Sequence, residues 1–204
     1  MKITWYGHSC FLVETAEGSV IFDPYSPGSV PGLTLPPLAA DLVICSHGHG
    51  DHNWREGVKE TRRATGFAIH QIATWHDDAL GGKRGANTVT ALDAEGLRIV
   101  HLGDLGHELS AKQLMELGAV DVLMLPVGGF FTIGPETAWK VAKAIEPRIL
   151  IPMHYRGEGF GYEVIAPVED FLALAEHVRR FDSNVLEPDK LETPVTAVLR
   201  CPTD

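Results

Sequence analysis

The segment Ser46-His47-Gly48-His49-Gly50-Asp51-His52 constrains this chain more than any other stretch. Three imidazoles and a carboxylate fall within six consecutive residues, spaced by two glycines. The segment follows Leu42-Val43-Ile44-Cys45, a short apolar run that reads as a buried strand. Ligand groups this dense just past a strand end are costly to hold together unless a cation neutralises them. The glycines permit tight backbone conformations, so His47 and His49 can converge on one point while Asp51 and His52 turn toward a second. A solvated polar loop is the plain alternative, and the density of ligand groups argues against it.

The rest of the chain bounds where such a site can sit. A length of 204 residues fits a single domain, 1–204, and a hydrophobic fraction of 45% supplies a sizeable core. The net charge of -10 argues against a nucleic-acid partner, which calls for a basic face. No apolar stretch approaches a signal peptide at Met1-Lys2-Ile3-Thr4-Trp5 or a membrane span elsewhere, so no membrane partner is expected. Cys10, Cys45 and Cys201 are odd in number and widely separated, as buried thiols are and disulfide frameworks are not. A cytoplasmic protein acting on a small molecule is the resulting expectation. Oligomeric state is not legible.

Alternation and turn signals predict strands at Ile3–Tyr6, Cys10–Glu14 and Val20–Phe22, with His8 in the first turn and Asp23-Pro24 ending the third strand. His8 points into a site or faces solvent, the second being the preferred reading of a lone histidine, and Asp23 reads as a residue able to support a neighbouring loop. Residues 24–37 shift to proline, glycine and serine and read as a surface loop. A short helix is expected over 53–61, then a strand at 67–72 and His76 in an acid-rich loop. Gly81 to Asn87 is glycine-rich but precedes a strand, which makes it a poor phosphate cradle; Arg84 within it is able to meet an anionic group. Thr88–Leu92 and Leu97–Leu102 read as a hairpin ending in Gly103-Asp104, and His101 and His70 read as ordinary strand residues. Ser110 and Gln113 form a capping box for a helix ending at Gly118. Strands follow at 120–127 and 148–153, separated by a helix from Pro135 with Ala138, Val141, Ala142 and Ile145 on one face. A last amphipathic helix is predicted from Pro167 to Arg180, burying Val168, Phe171, Leu172, Ala175 and Val178, before a final strand at 196–201.

The ligand candidates share one property: each follows a strand. His47, His49, Asp51 and His52 follow one, His76 another, Asp104 a third and His154 a fourth. In layered α/β folds, functional groups gather beyond the carboxyl ends of strands. Seven ligands suit two divalent ions: His47, His49 and His76 on one, Asp51, His52 and His154 on the other, with Asp104 between them. Nitrogen-rich shells with some carboxylate suit zinc, while manganese, iron or nickel occupy similar ones.

His47-x-His49-x-Asp51-His52, Gly103-Asp104 and Ile151-Pro152-Met153-His154-Tyr155 resemble the motifs of the metallo-β-lactamase superfamily. Gly7-His8-Ser9, Asp23-Pro24 and Pro126-Val127-Gly128-Gly129 are similar to those of its small bacterial metal-dependent hydrolases related to ascorbate-6-phosphate lactonase. The likeness runs from Trp5 to Tyr155. It implies an α/β fold, the four-layer αββα sandwich, with a dimetal site at one edge.

The expected activity is hydrolysis: a dinuclear metal centre activates water to attack a carbonyl or phosphoryl centre of a small polar or anionic substrate. Asp51 is a ligand that also orients the nucleophile, with His107 or Tyr155 assisting the oxygen that gains charge. Arg84, Phe130, Phe131 and Trp75 are candidates for the substrate wall. Alternatives are a hydrolase with one metal, an iron-dependent oxidative enzyme and a non-catalytic metal-binding module. Which bond is broken does not follow from fold.

Overall fold

Alternation along the first strands decides how two sheets stack. Ile3, Trp5, Phe11, Val13, Val20 and Phe22 join one apolar cluster, whereas Leu12, Ile21 and Val43 join a second on the opposite face. Successive side chains of a strand point to opposite faces, so this first sheet is buried on both.

The structure, a computed structural model, describes residues 1–202. In chain order its first half contains β1 (Lys2–Trp5), β2 (Phe11–Thr15), β3 (Gly18–Phe22), β4 (Leu38–Ala40), β5 (Leu42–Ile44), β6 (Val58–Glu60), β7 (Ala68–Trp75), β8 (Ala86–Ala94) and β9 (Leu97–His101). Then come α1 (Ala111–Leu117), β10 (Val122–Pro126), α2 (Pro135–Ile145), β11 (Ile149–Met153), α3 (Val168–Leu172), β12 (Val178–Arg180), β13 (Val185–Leu186) and β14 (Val195–Val198). One sheet has five strands in the order β13-β1-β2-β3-β5; the other has seven, β12-β14-β11-β10-β9-β8-β7. The large sheet is parallel from β12 to β9 and antiparallel from β9 to β7. The apolar runs of β10 and β11 are buried throughout, as expected of central parallel strands covered on both faces. The main core lies between the sheets, where Trp5, Phe11 and Phe22 meet side chains such as Leu92, Ile99 and Leu102.

The outer layers differ. α2 buries Ala138, Val141, Ala142 and Ile145 against the large sheet, starts with Pro135 in its first turn and stops at a left-handed Glu146 before Pro147. α1 carries the expected capping box, Ser110 Oγ accepting from Gln113 N and Gln113 Oε1 from Ser110 N. Over the five-stranded sheet there is no comparable helix among the described residues. Tyr25, Val30, Leu33 and Leu35 from residues 24–37, with the β4–β6 ribbon, cover it instead. That segment is therefore an apolar cover rather than a surface loop. Tyr25 is nearly fully buried, and its hydroxyl donates to the Tyr6 carbonyl over 2.8 Å.

Two helix expectations fail for one reason. Residues 53–61 form a 3-10 turn at Arg55–Gly57 and then β6, which pairs with β4. The helix predicted to Arg180 ends at Leu172, and Val178 to Arg180 form an edge strand on β14, leaving Val178 41% exposed. His177 turns left-handed at φ 52°, and the Glu176 carbonyl accepts from Thr196 Oγ1. Pairing with an open strand outweighs a helical stripe that periodicity alone detects. No helix among the described residues is long and apolar enough to cross a membrane.

Candidate metal centre

Six strands point their carboxyl ends at one edge of the sandwich. β1 leads to His8, β3 to Asp23, β5 to the histidine loop, β7 to His76, β9 to Asp104 and β11 to His154. The loop after β5 is pinned at its start, where Ser46 N and Oγ both donate to Asp23 at 2.6 Å. It turns back where His52 N donates to the His49 carbonyl at 3.0 Å.

This backbone brings His47 and His49 beside His76, with ring centroids 4.6 Å apart for His47–His49 and for His47–His76. Their ligand atoms lie within 4.8 Å of one another, and so do those of a second set: His8, Asp51, His52 and His154. Asp104 lies between the sets. Its Oδ2 is 3.2 Å from His76 Nε2 and 3.3 Å from His154 Nε2, and its Oδ1 is 3.2 Å from His52 Nε2. All seven side chains expected to be ligands are thus gathered at one point of the fold.

Close packing of the rim holds them there. A Cβ on Gly106 would stand 2.2 Å from the Asp77 amide nitrogen, and one on Gly128 would stand 2.1 Å from the His154 carbonyl oxygen. His8, Asp23 and His154 adopt left-handed backbone at φ 50°, 44° and 54°. Such conformations cost of order 1–3 kcal/mol for non-glycine residues and persist where surrounding structure over-determines them.

Electrostatics keep His8, His47 and His76 ready to ligate, while His52 holds a proton that a cation would displace. Burial lowers His8 to about 3 and His47 to about 4, and it also lowers His76; these rings are neutral, as ligation requires. Burial works to raise Asp104, but the surrounding His154 and His52 hold it well below the usual carboxylate range. Burial likewise opposes the charge on His52, yet Asp104 and Asp23 raise it well above a free imidazole. The site draws positive charge inward. Asp23 Oδ2 is 2.8 Å from His52 Nδ1, so the ionised carboxylate accepts a hydrogen bond from Nδ1–H and turns Nε2 toward the cluster, where a cation would replace its proton.

The fit to a cation rests on unpaired atoms. The ring nitrogens His47 Nε2, His52 Nε2, His76 Nδ1 and both of His8 and His154 lack a hydrogen-bond partner, as do Asp104 Oδ1 and Ser9 Oγ. No other buried side-chain polar atom among the described residues is so left. Each unpaired buried group costs about 1–3 kcal/mol. The ligand atoms of each set instead crowd within 4.8 Å of one another. Imidazole nitrogens with carboxylate oxygens suit zinc-like divalent ions.

The remaining expected residues separate. A cavity of about 290 Å³ opens on the cluster, lined by His49, Asp51, His76, Arg84, Asp104, Phe131 and Tyr162. Arg84 lies over both phenyl rings, 5.9 Å from the centroid of Phe130 and 5.6 Å from that of Phe131, with Phe130 on the exposed outer rim. Trp75 does not line this cavity; its ring packs over Gly81. His107 is outside too, its Nε2 accepting from Trp75 N at 3.1 Å and its Nδ1 donating to the Glu108 carbonyl at 2.7 Å. Tyr155 is buried in the core against Trp5 and Phe160, and burial pushes its hydroxyl up. The tyrosine of the cavity is Tyr162, whose hydroxyl donates to the Ser29 carbonyl and lies 3.3 Å from Asp51 Oδ2. Sequence reading missed His8 and Tyr162: a lone histidine in a turn and a tyrosine in a glycine-rich loop carry no local pattern. His101 is structural as expected, with Nε2 2.9 Å from the Ser9 carbonyl and its ring stacked on Phe22.

Known proteins resemble this chain in sequence and in fold. Residues 2–154 match the family described as β-lactamase superfamily domain. A metal-dependent hydrolase of Methanopyrus kandleri is 31% identical over 196 residues, covering 76% of this chain and 84% of that protein. A Thermotoga maritima protein of the metallo-β-lactamase superfamily superposes with a TM-score of 0.78 at 35% identity, covering 97% of each chain. An isothiocyanate hydrolase from Delia radicum gut bacteria shares the fold at 16% identity, with a TM-score of 0.65 over 85% of this chain and 91% of that one. Match, identity and superposition agree: this chain belongs to the metallo-β-lactamase superfamily.

Proposed function

We propose that the protein is a hydrolase of a small polar or anionic substrate, in which His47, His49 and His76 would hold one divalent ion and Asp51, His52 and His154 a second, with Asp104 between the two sets. The observation that carries this reading is the set of buried, unpartnered imidazole nitrogens converging from separate strand ends around one carboxylate. Relatives described as metal-dependent hydrolases support it. Divalent ions in such shells polarise a carbonyl or phosphoryl oxygen and lower the pKa of water from ~15.7 to roughly 7.

The chain's own groups supply the rest. Asp51 is ionised: burial opposes this, but His8 and His52 hold its carboxyl below the usual range. Asp51 lines the cavity, and its carboxylate is placed to accept a hydrogen bond from attacking water and aim it. Tyr162 keeps its proton, because burial and the Asp51 carboxylate push its phenol up. That proton goes to the Ser29 carbonyl, so Tyr162 braces the cavity wall beside Asp51 and does not take the donor role expected of Tyr155. Phe131 walls the cavity against bulk water. Arg84 is half-buried, and no acidic side chain among the described residues forms an ion pair with it. Its neighbour Lys83 is paired with Asp78 at 2.6 Å, while Asp77 accepts from four backbone amides, those of Ala79, Gly81, Lys83 and Arg84. The Arg84 guanidinium is thus available for an anionic group of the substrate.

The test is metal analysis with turnover on a panel of esters, lactones and phosphodiesters. His49→Ala and Asp104→Ala are expected to lose metal and activity together. Full activity in metal-free wild-type protein refutes the reading.

A further inference from the structure

We infer that His8 is a further side chain on the second metal position, beside Asp51, His52, His154 and Asp104, making that position closed while the first stays open. The inference rests on the metal reading above. His8 is buried, 1% exposed, and neither ring nitrogen has a hydrogen-bond partner. Its Nε2 is 3.4 Å from Asp51 Oδ2, and its ring centroid is 4.1 Å from that of His154 and 5.1 Å from that of His52. It thus shares the space on which Asp51, His52 and His154 converge.

The backbone holds this ring in place. The His8 carbonyl accepts from Trp5 Nε1 at 3.0 Å and from His154 N at 3.2 Å, which ties the turn after β1 to the end of β11. The residue sits at φ 50°, a conformation asparagine or glycine adopts more readily than histidine. A histidine kept there, with both nitrogens buried and unpaired, has a use for its lone pair.

The two positions then differ in kind. His49 is exposed, and both it and His76 line the cavity. Of the second set only Asp51 reaches the cavity; His8, His52 and His154 are sealed behind it. A position with a face on the cavity is the pattern of a catalytic ion, and a filled, sealed shell is the pattern of a retained one. The second position fixes its ion, and the first exchanges its own and receives the substrate.

The experiment uses cobalt(II) as the probe, with His8→Asn and His8→Gly, both suited to the left-handed backbone. In wild-type protein, competition with EDTA is expected to strip one equivalent readily and the other slowly. In both variants the retained equivalent should bind at least ~10-fold more weakly, with a changed cobalt absorption spectrum. Added imidazole should restore the spectrum in His8→Gly. Paramagnetic proton NMR of wild-type cobalt protein supplies a measurement free of any variant: a shifted, exchangeable ring proton assigned to His8 is expected. Variants with wild-type affinity and spectrum, or a His8 ring proton without a contact shift, overturn this inference and leave the proposed function intact. Wild-type protein that binds no cobalt overturns both.

Discussion

Replacing Asp23 by asparagine tests how far the support behind a ligand governs the site. Asp23 is 1% exposed and accepts from Ser46 N at 2.6 Å and Ser46 Oγ at 2.6 Å, with His52 Nδ1 2.8 Å away. With its carbonyl in the place of Oδ1 the asparagine still accepts from Ser46 N, but its NH2 then faces both Ser46 Oγ and His52 Nδ1. The imidazole must release that proton and carry one on Nε2, where it blocks ligation. Hydrogen bonds to a charged acceptor contribute about 1.5–3 kcal/mol each, and breaking a buried charged pair costs about 3–5 kcal/mol. One pair is lost and the two Ser46 bonds are weakened or lost, so stability should fall by about 3–5 kcal/mol. With a urea slope of about 1–3 kcal/mol/M, the midpoint should drop by more than about 1 M. Metal affinity should fall ~10–100-fold, as for other residues behind a ligand. The assays are urea unfolding of the metal-free protein and chelator competition with zinc. An unchanged zinc affinity at a reduced urea midpoint refutes the tautomer argument, and no change in either refutes the account of Asp23.

Three further outcomes are expected. Zinc at a thousandfold excess over its dissociation constant should stabilise the fold by ~4 kcal/mol per ion, raising the calorimetric Tm by roughly 10 °C for a chain of this size, and EDTA should reverse it. Arg84→Met should lower kcat/KM at least ~10-fold for an ester bearing a carboxylate and little for its neutral isostere; equal losses on both refute a role in charge recognition. In acid, Asp41 and Asp77 are both lowered to about 2, the first chiefly by the Thr61 hydroxyl and the second, against burial, by backbone amides. Their folded values lie below the unfolded value of ~3.9, so the stability they contribute is complete above that pH and lost as pH falls through about 2. Urea midpoints between pH 6 and pH 2.5 should show that loss, and Asp41→Asn should flatten it.

Legibility in the sequence followed the range of each interaction. The histidine loop was legible because its ligands are neighbours in the chain, and His76, Asp104 and His154 because each closes a strand. Tyr155 shows where adjacency misleads. His154 is left-handed, so the next side chain turns back onto Trp5, and the chain returns to the cavity only at Tyr162 after the Gly157–Phe160 bridge. His8 was illegible because its meaning comes from a carbonyl shared with His154, 146 positions away. The predicted helix beyond Leu172 failed because an open edge on β14 is a property of the assembled sheet.

The wedged contacts at Gly106 and Gly128 bear on how this enzyme family diversifies. Where neighbouring main chains touch with no room for even a methyl group, a loop swapped from a relative brings its own incompatible path and unseats His76 or His154. Exposed side chains on the cavity rim such as Phe130 carry no such contact, so exchanging one leaves the frame in place.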